Sequence, residues 1–377
     1  MHRLMGRTSA VGLAAALILL AADAAPAAGA SSTTAAVPAA VAAGDNASPA
    51  GEDAAADPFL GDWEGRVAKG DKPRAYPVVA QVIPRGGARY EIVFQEAFDC
   101  RCPVYGRAAG RVEGGRLRFE GDGFAGEAVG DHMTGTGRRI DHMGTEDGLA
   151  IELKKVVRPC PGVGAKPPDG AVVLFDGTGF DAWQPDRGDA ITWKVVDGAA
   201  CAWPTMTEHA IGPGIVTRRA FRDCRLHLEF RLPLLAESTG QNRANSGITF
   251  EDYAWHELQV LDSYGLPGTW DECGALYRIA APYVHMCAPP GAWQSYDVVY
   301  RGPRYDDAGQ LLRPARITVT HNGKVIHNDL ELQGPAGGRV PEKAKGSRTL
   351  GRIRLQNHGD AVEFRNIWVV ELPAAGD

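Results

Sequence analysis

The sequence predicts an all-β protein made of two successive β units, and three observations lead there. Glycine and proline number 47 and 25 in 377 residues, a usage that suits short strands joined by turns better than helices. Between Phe59 and Val157 no stretch sustains an apolar period of 3.6 residues, and the second half offers no convincing helix either. Runs rich in β-formers are split by the turn pairs Gly86-Gly87, Gly114-Gly115 and Asn322-Gly323. The hydrophobic share of 44% and charged share of 23% are those of an ordinary globular chain. A net charge of -6 with no Lys/Arg block argues against a nucleic-acid partner.

In chain order, residues 1–30 read as an export signal. Arg3 and Arg7 precede an apolar run from Val11 to Ala22, followed by small residues that offer A-x-A-like cleavage sites. The run falls well short of the roughly 20 residues of a membrane span, so no span is expected in the mature chain, and a periplasmic or secreted location follows. Residues 31–57 are Ala, Ser, Thr, Pro and Gly with too little bulk for a core, and read as a linker. Residues 58–158 then carry the first β unit, a small antiparallel barrel or sandwich. In it, Tyr76–Pro84 and Ala88–Phe94 form one hairpin, and Ala109–Glu113 pairs with Leu117–Glu120. Residues 159–171, rich in Pro and Gly, mark the boundary.

The second unit covers residues 172–373. Its clearest strand is Leu226–Leu232, whose leucines and Phe230 face a core while His227, Glu229 and Arg231 share the other face. Arg316–Thr320 and Val325-Ile326 flank the Asn322-Gly323 turn, and Ile353–Gln356 and Val362–Leu372 add two more strands. About ten strands without helices imply a two-sheet sandwich.

Export permits disulfides among the seven cysteines, and the odd count leaves at least one free or pairing between chains. Short loops favour Cys273 with Cys287 and Cys201 with Cys224, and one of Cys100 or Cys102 could reach Cys160. No C-x-x-C or compact His/Cys/Asp spacing occurs, so no cofactor or catalytic metal is expected, with a structural calcium left open.

Glu257 and Gln259 lie two apart on an apparent strand and so share a face, opposite Leu258 and Val260. From the pattern alone this face is as well read as a solvated surface. Asp262 is the obvious partner for Glu257 in a glycosidase pair, but a separation of five puts the two on opposite faces unless a bulge intervenes. His358 sits in the polar turn Gln356–Asp360, where its titration range suits proton transfer. Tyr277 could donate to a developing oxyanion, and Trp255, Trp270 and Trp293 could stack on sugar rings or pack in a core.

Taken together, the motifs of residues 172–372 resemble the 3-keto-disaccharide hydrolase family. The resemblance is carried by Leu174-Phe175-Asp176-Gly177, Trp183, Asn245-Ser246-Gly247-Ile248, the Glu257–Asp262 strand and Gly274–Tyr277. Pro290–Trp293 and the Gln356–Trp368 segment complete it. It implies a concanavalin A-like jelly-roll sandwich acting on glycosides already oxidised at C3, with the bond broken by loss of the C2 proton and then addition of water. By the same analogy Glu257 or His358 would move the proton, and Arg231 and Tyr277 would face the enolate oxygen. Asn245, Gln259, Asp262 and Gln356 would hold sugar hydroxyls. The chain departs from the family at His256, where a tyrosine-type residue is usual, and at Ala292, where an acid is usual. The rival readings are a non-catalytic carbohydrate-binding module or lectin, or an adhesion protein of the cell envelope.

Overall fold

The computed structural model describes residues 57–69, 75–203, 211–250, 256–306, 311–332 and 351–374. The export signal, nearly all of the expected linker, and Trp255 lie outside them. The described residues are almost wholly strand, turn and loop, with one short 3-10 turn at Gly240–Asn242. No helix among them is long and apolar enough to cross a membrane.

Eight antiparallel strands form the first unit: β1 (Gly61–Ala68), β2 (Ala75–Pro84), β3 (Arg89–Gln95), β4 (Val104–Glu113), β5 (Arg116–Gly121), β6 (Phe124–Val129), β7 (His132–Asp141) and β8 (Gly144–Val156). Each pairs with the next, and β1 also pairs with β8, so the sheet closes into a barrel without edges. Every second residue points inward. Trp63, Val67, Ile92, Leu117, Met133, Ile151 and Leu153 are almost fully buried, and Phe94 stacks on Phe124 at 3.9 Å. The interior is filled with side chains, leaving the barrel a packed core.

Two further sheets follow. The smaller has the order β10 (Trp183–Pro185), β13 (Gly212–Thr217), β22 (Ile353–Asn357), β15 (Ser246–Phe250) and β16 (Glu257–Val260). The larger runs β11 (Lys194–Val196), β12 (Ala199–Cys201), β23 (Glu363–Glu371), β14 (Asp223–Arg231), β17 (Trp293–Arg301), β20 (Ala315–His321) and β21 (Lys324–Leu332), with β9 (Val172–Phe175) pairing β23. A short ribbon of β18 (Arg304–Tyr305) and β19 (Leu311–Arg313) stands apart. One apolar core joins the two sheets. Ile215, Ile248, Leu258 and Leu355 come from the smaller, and Leu226, Leu228, Phe230, Val298 and Phe364 from the larger. Phe250 stacks on Tyr300 across it at 4.3 Å.

The expected hairpins form where the turn chemistry places them. Asn322 and Gly323 both have positive φ, 47° and 80°, the left-handed pair that matches strand twist in a two-residue turn.

The barrel is tied to the sandwich through buried groups. Leu60, Ile83 and Val93 belong to the sandwich core. Tyr264 Oη donates to Asp62 Oδ1 at 2.7 Å, and Arg158 Nε reaches Asp62 Oδ2 at 2.7 Å. Asp62 therefore balances a largely buried guanidinium and a buried phenol. Asp62→Ala leaves the Arg158 guanidinium with only the more exposed Asp99, at 3.3 Å, and is expected to cost about 3 kcal/mol in urea unfolding. A loss below about 1 kcal/mol would show that the network contributes little.

The cysteines differ from expectation. Cys100 and Cys102 bond to each other, their Cα atoms 5.1 Å apart in a bent loop, which leaves Cys160 free. Cys201 and Cys224 lie on β12 and β14, which are separated by β23, and both are free. Cys273 and Cys287 are free thiols in hydrogen-bond contact.

Candidate active site

Strand alternation builds the site on the face of the smaller sheet that points away from the core. On β16, Leu258 and Val260 are fully buried in the core, so Glu257 and Gln259 face the other way. The register continues that face across the sheet. Glu257 lies opposite Thr249 on β15, and Thr249 opposite Arg354 on β22. One row along, Gln259 lies opposite Gly247. This face is not solvated: Gln259 and Thr249 are each 1% exposed.

Two glycines make room for charged side chains above the sheet. A Cβ on Gly247 would lie 2.5 Å from Glu257 Oε1 and 2.9 Å from Gln356 Cδ. A Cβ on Gly214 would lie 2.9 Å from Asp186 Oδ2 and 3.3 Å from Arg354 Nε. The Glu257 carboxyl and Gln356 amide therefore meet over one glycine, and the Asp186–Arg354 ion pair rests over the other.

The electrostatics follow from this packing. Burial pushes the Glu257 carboxyl above the ordinary glutamate range, with the Gln356 hydrogen bond and the Arg354 charge pulling the other way. His358, two residues past Gln356, is half-buried. Burial and then the Arg354 charge push it below the usual histidine range, so it is neutral near pH 7.

A second signature is the set of buried acceptors with no donor. Asn245 Oδ1, Thr249 Oγ1, Gln356 Oε1 and Asp186 Oδ1 are all out of solvent and unpartnered. Each such atom carries a desolvation cost that a ligand's hydroxyl would relieve. The rest of the Asn245 side chain is fixed. Its Nδ2 donates to Gln241 O at 2.8 Å, and Gln259 Nε2 donates to Gln241 Oε1 at 3.1 Å.

Most residues expected from the sequence meet here. Tyr277 lies beside Glu257, because the 274–277 segment adds to the β16 edge: Tyr277 N donates to Glu257 O at 2.9 Å and Gln259 N to Ala275 O at 2.9 Å. Trp270, 47% exposed, packs its ring 5.8 Å from Tyr277 at the rim.

Two residues do not join the site. Arg231 lies on β14 of the larger sheet, its neighbours Leu228 and Phe230 filling the core. It pairs with Glu363 at 2.5 Å and faces Trp293 at 4.8 Å, so the sandwich core separates it from Glu257. Asp262 has left strand β16 and is fully buried. Its Oδ2 accepts from Arg243 Nε at 2.6 Å and its Oδ1 from Tyr264 N at 3.2 Å, a supporting ion pair with no oxygen left for a sugar. Thr249, Arg354, Asp186 and Gln241 were not anticipated. Period-two counting from Gly247 and from Gln356 reaches Thr249 and Arg354, but no local signal marks Asp186.

Among the described residues no three His, Cys, Asp or Glu side chains converge as a metal site. Two cavities of about 240 and 200 Å³ lie where the barrel meets the sandwich, one lined by Asp62, Arg158 and Met286, the other by Gln81, Arg101 and His285. Neither touches Glu257, whose site is a sheet face.

The family described as 3-keto-alpha-glucoside-1,2-lyase-like domain matches residues 170–370. Among solved structures, a proposed glycosyl hydrolase from Parabacteroides distasonis ATCC 8503 is 32% identical over 54% of this chain and 85% of its own, with a TM-score of 0.48. A second from the same organism is 21% identical over 54% of this chain and 95% of its own, with a TM-score of 0.40. No curated protein matches the chain. With more than half of its length matched, the chain belongs to the 3-keto-alpha-glucoside-1,2-lyase-like family.

Proposed function

We propose that the protein cleaves the glycosidic bond of 3-keto-glycosides, on a concanavalin A-like jelly roll exported to the periplasm or beyond. The observation that carries this reading is a buried carboxyl of raised pKa, Glu257, on a sheet face lined with unpartnered acceptors. A C3 ketone acidifies the neighbouring C2 proton, so a single base suffices where an ordinary glycosidase needs two carboxylates across one cleft. The family's description names a lyase, which fits elimination. The Cys100–Cys102 bond fits an oxidising compartment.

In this scheme ionised Glu257 takes the C2 proton, and the electrons move onto the C3 oxygen. Tyr277 and Arg354 face that enolate, Arg354 taking the place first expected of Arg231. The enolate collapses to a C1–C2 double bond and the C1–oxygen bond breaks, the departing oxygen receiving the proton held by Glu257. Water then adds, its hydroxyl to C1 and its proton, by way of neutral His358, to C2. Asn245, Gln259 and Gln356 hold the ring.

Incubation with 3-keto-trehalose or 3-keto-lactose, beside the unoxidised sugars, tests the reading. Release of 3-ketoglucose from the keto forms, with a primary isotope effect on deuteration at C2, is expected. Binding without turnover would instead establish a lectin. The roles separate in mutants: Arg354→Gln is expected to lower kcat about tenfold or more, and Arg231→Gln to leave it within about threefold. The reverse order would return the enolate contact to the larger sheet.

A further inference from the structure

The ion pair over Gly214 has an unusual geometry. Arg354 places both Nε, at 2.6 Å, and Nη2, at 2.5 Å, on the same oxygen of Asp186, Oδ2. A guanidinium fork normally spans both carboxylate oxygens. Here Oδ1 is left without a donor, out of solvent, on a side chain only 8% exposed. A buried carboxylate oxygen in that state is costly unless something donates to it. The backbone fixes the arrangement, since Asp186 N donates to Gly214 O at 3.1 Å and so extends the β10–β13 pairing.

Its position relative to Glu257 limits what Asp186 can do. Gly214 is on β13 and Gly247 on β15, with only β22 between them. Two strand steps amount to roughly 10 Å. That lies at the far end of the carboxylate separations of glycosidases, and Arg354 holds Asp186 in an ion pair, an arrangement suited to binding and not to proton transfer. Across the strands the outer face continues from Gly247 over β22 to β13 and β10. A ligand with one ring above the Gly247 seat that extends in this direction has its next unit above the Gly214 seat.

We propose that Asp186 determines specificity for the sugar unit beyond the scissile bond, its Oδ1 accepting a hydrogen bond from a hydroxyl of a ring lying over Gly214. This rests on the cleavage of 3-keto-glycosides proposed above. With Asp186 in this role, a hydroxylated sugar is preferred as leaving group to an aryl or alkyl group.

The test compares a 3-keto-disaccharide with 4-nitrophenyl 3-keto-α-glucoside, on the wild-type protein and on Asp186→Asn. Asparagine keeps an oxygen for Arg354 and turns the free acceptor into an amide donor. The kcat/KM for the disaccharide is expected to fall about tenfold further than that for the aryl glycoside. Glucose is expected to compete with the aryl substrate in the wild type and to lose that effect in the variant. Equal losses on both substrates, with the wild type active, would overturn the role of Asp186 and leave the cleavage reading standing. Absence of glucose inhibition in the wild type would overturn it even if the variant does not fold. A wild-type protein that turns over neither keto-glycoside would sink the cleavage reading, and this proposal with it.

Discussion

Glu257→Gln is expected to lower kcat on a 3-keto-glycoside by about 10²–10⁴-fold, the range lost with a positioned general base, while making the protein more stable at neutral pH. The two effects share one cause. Burial holds the Glu257 carboxyl above the ordinary glutamate range in the folded state. The folded protein therefore prefers the protonated form, and ionising Glu257 costs stability once the pH rises from the unfolded glutamate value through the folded one. Glutamine is spared that cost. The melting temperatures of the two proteins should be close at a pH below the ordinary glutamate value, and should diverge in favour of the glutamine variant as the pH rises. Activity should move oppositely in the wild type, with kcat/KM rising along a limb displaced above the ordinary glutamate range. His358, held neutral, should add no limb near the usual histidine value. A melting difference that does not change with pH would mean that the carboxyl is not held in the environment described.

Gly247→Ala is expected to reduce kcat about 100-fold with little change in stability. The new methyl would lie 2.5 Å from Glu257 Oε1 and 2.9 Å from Gln356 Cδ, so both groups must swing off the face together. A displacement near 1 Å at a reacting group costs about 10²-fold. Gly247 is not among the positive-φ glycines, so alanine fits the strand backbone and shortens the list of unfolded conformations, a gain of about 0.5 kcal/mol. Stability within about 1 kcal/mol of wild type by urea unfolding, together with the activity loss, would identify Gly247 as a seat for the two side chains. Full activity in the alanine variant would show that the Glu257 carboxyl acts from elsewhere.

Much of the site could be read from the chain because strands encode their faces locally. Glu257 with Gln259, and Asn245 with Gly247, each fall on one side by simple alternation, and the register then joins the two pairs. Asp262 shows where that local rule ends. It lies beyond the last residue of β16, where Arg243 and Tyr264 claim its oxygens. Arg231 shows a different limit. Its parity on β14 was legible, with His227 and Glu229 beside it, but parity does not say to which sheet a strand belongs. Arg231 and Arg354 both alternate with core residues, and only the pairing of β22 with β15 puts Arg354 near Glu257. The cysteines fail for a related reason. Loop length made Cys201–Cys224 plausible, yet β23 stands between their strands.

By itself the sequence determined the all-β class, the turn-bounded hairpins, the two faces of the Leu226–Leu232 and Glu257–Val260 strands, and the family. These depend on alternation, turn chemistry and motif order, which act over a few residues or survive as text. Tertiary structure alone decided which sheet each strand joined, that the first sheet closes into a barrel, and which distant side chains share a glycine seat. Gly214 with Asp186 and Arg354, and Gly247 with Glu257 and Gln356, come together only because strands far apart in the chain pair side by side. Strand pairing through backbone hydrogen bonds is nearly blind to side-chain identity, so the partners are chosen by the packing of the whole core.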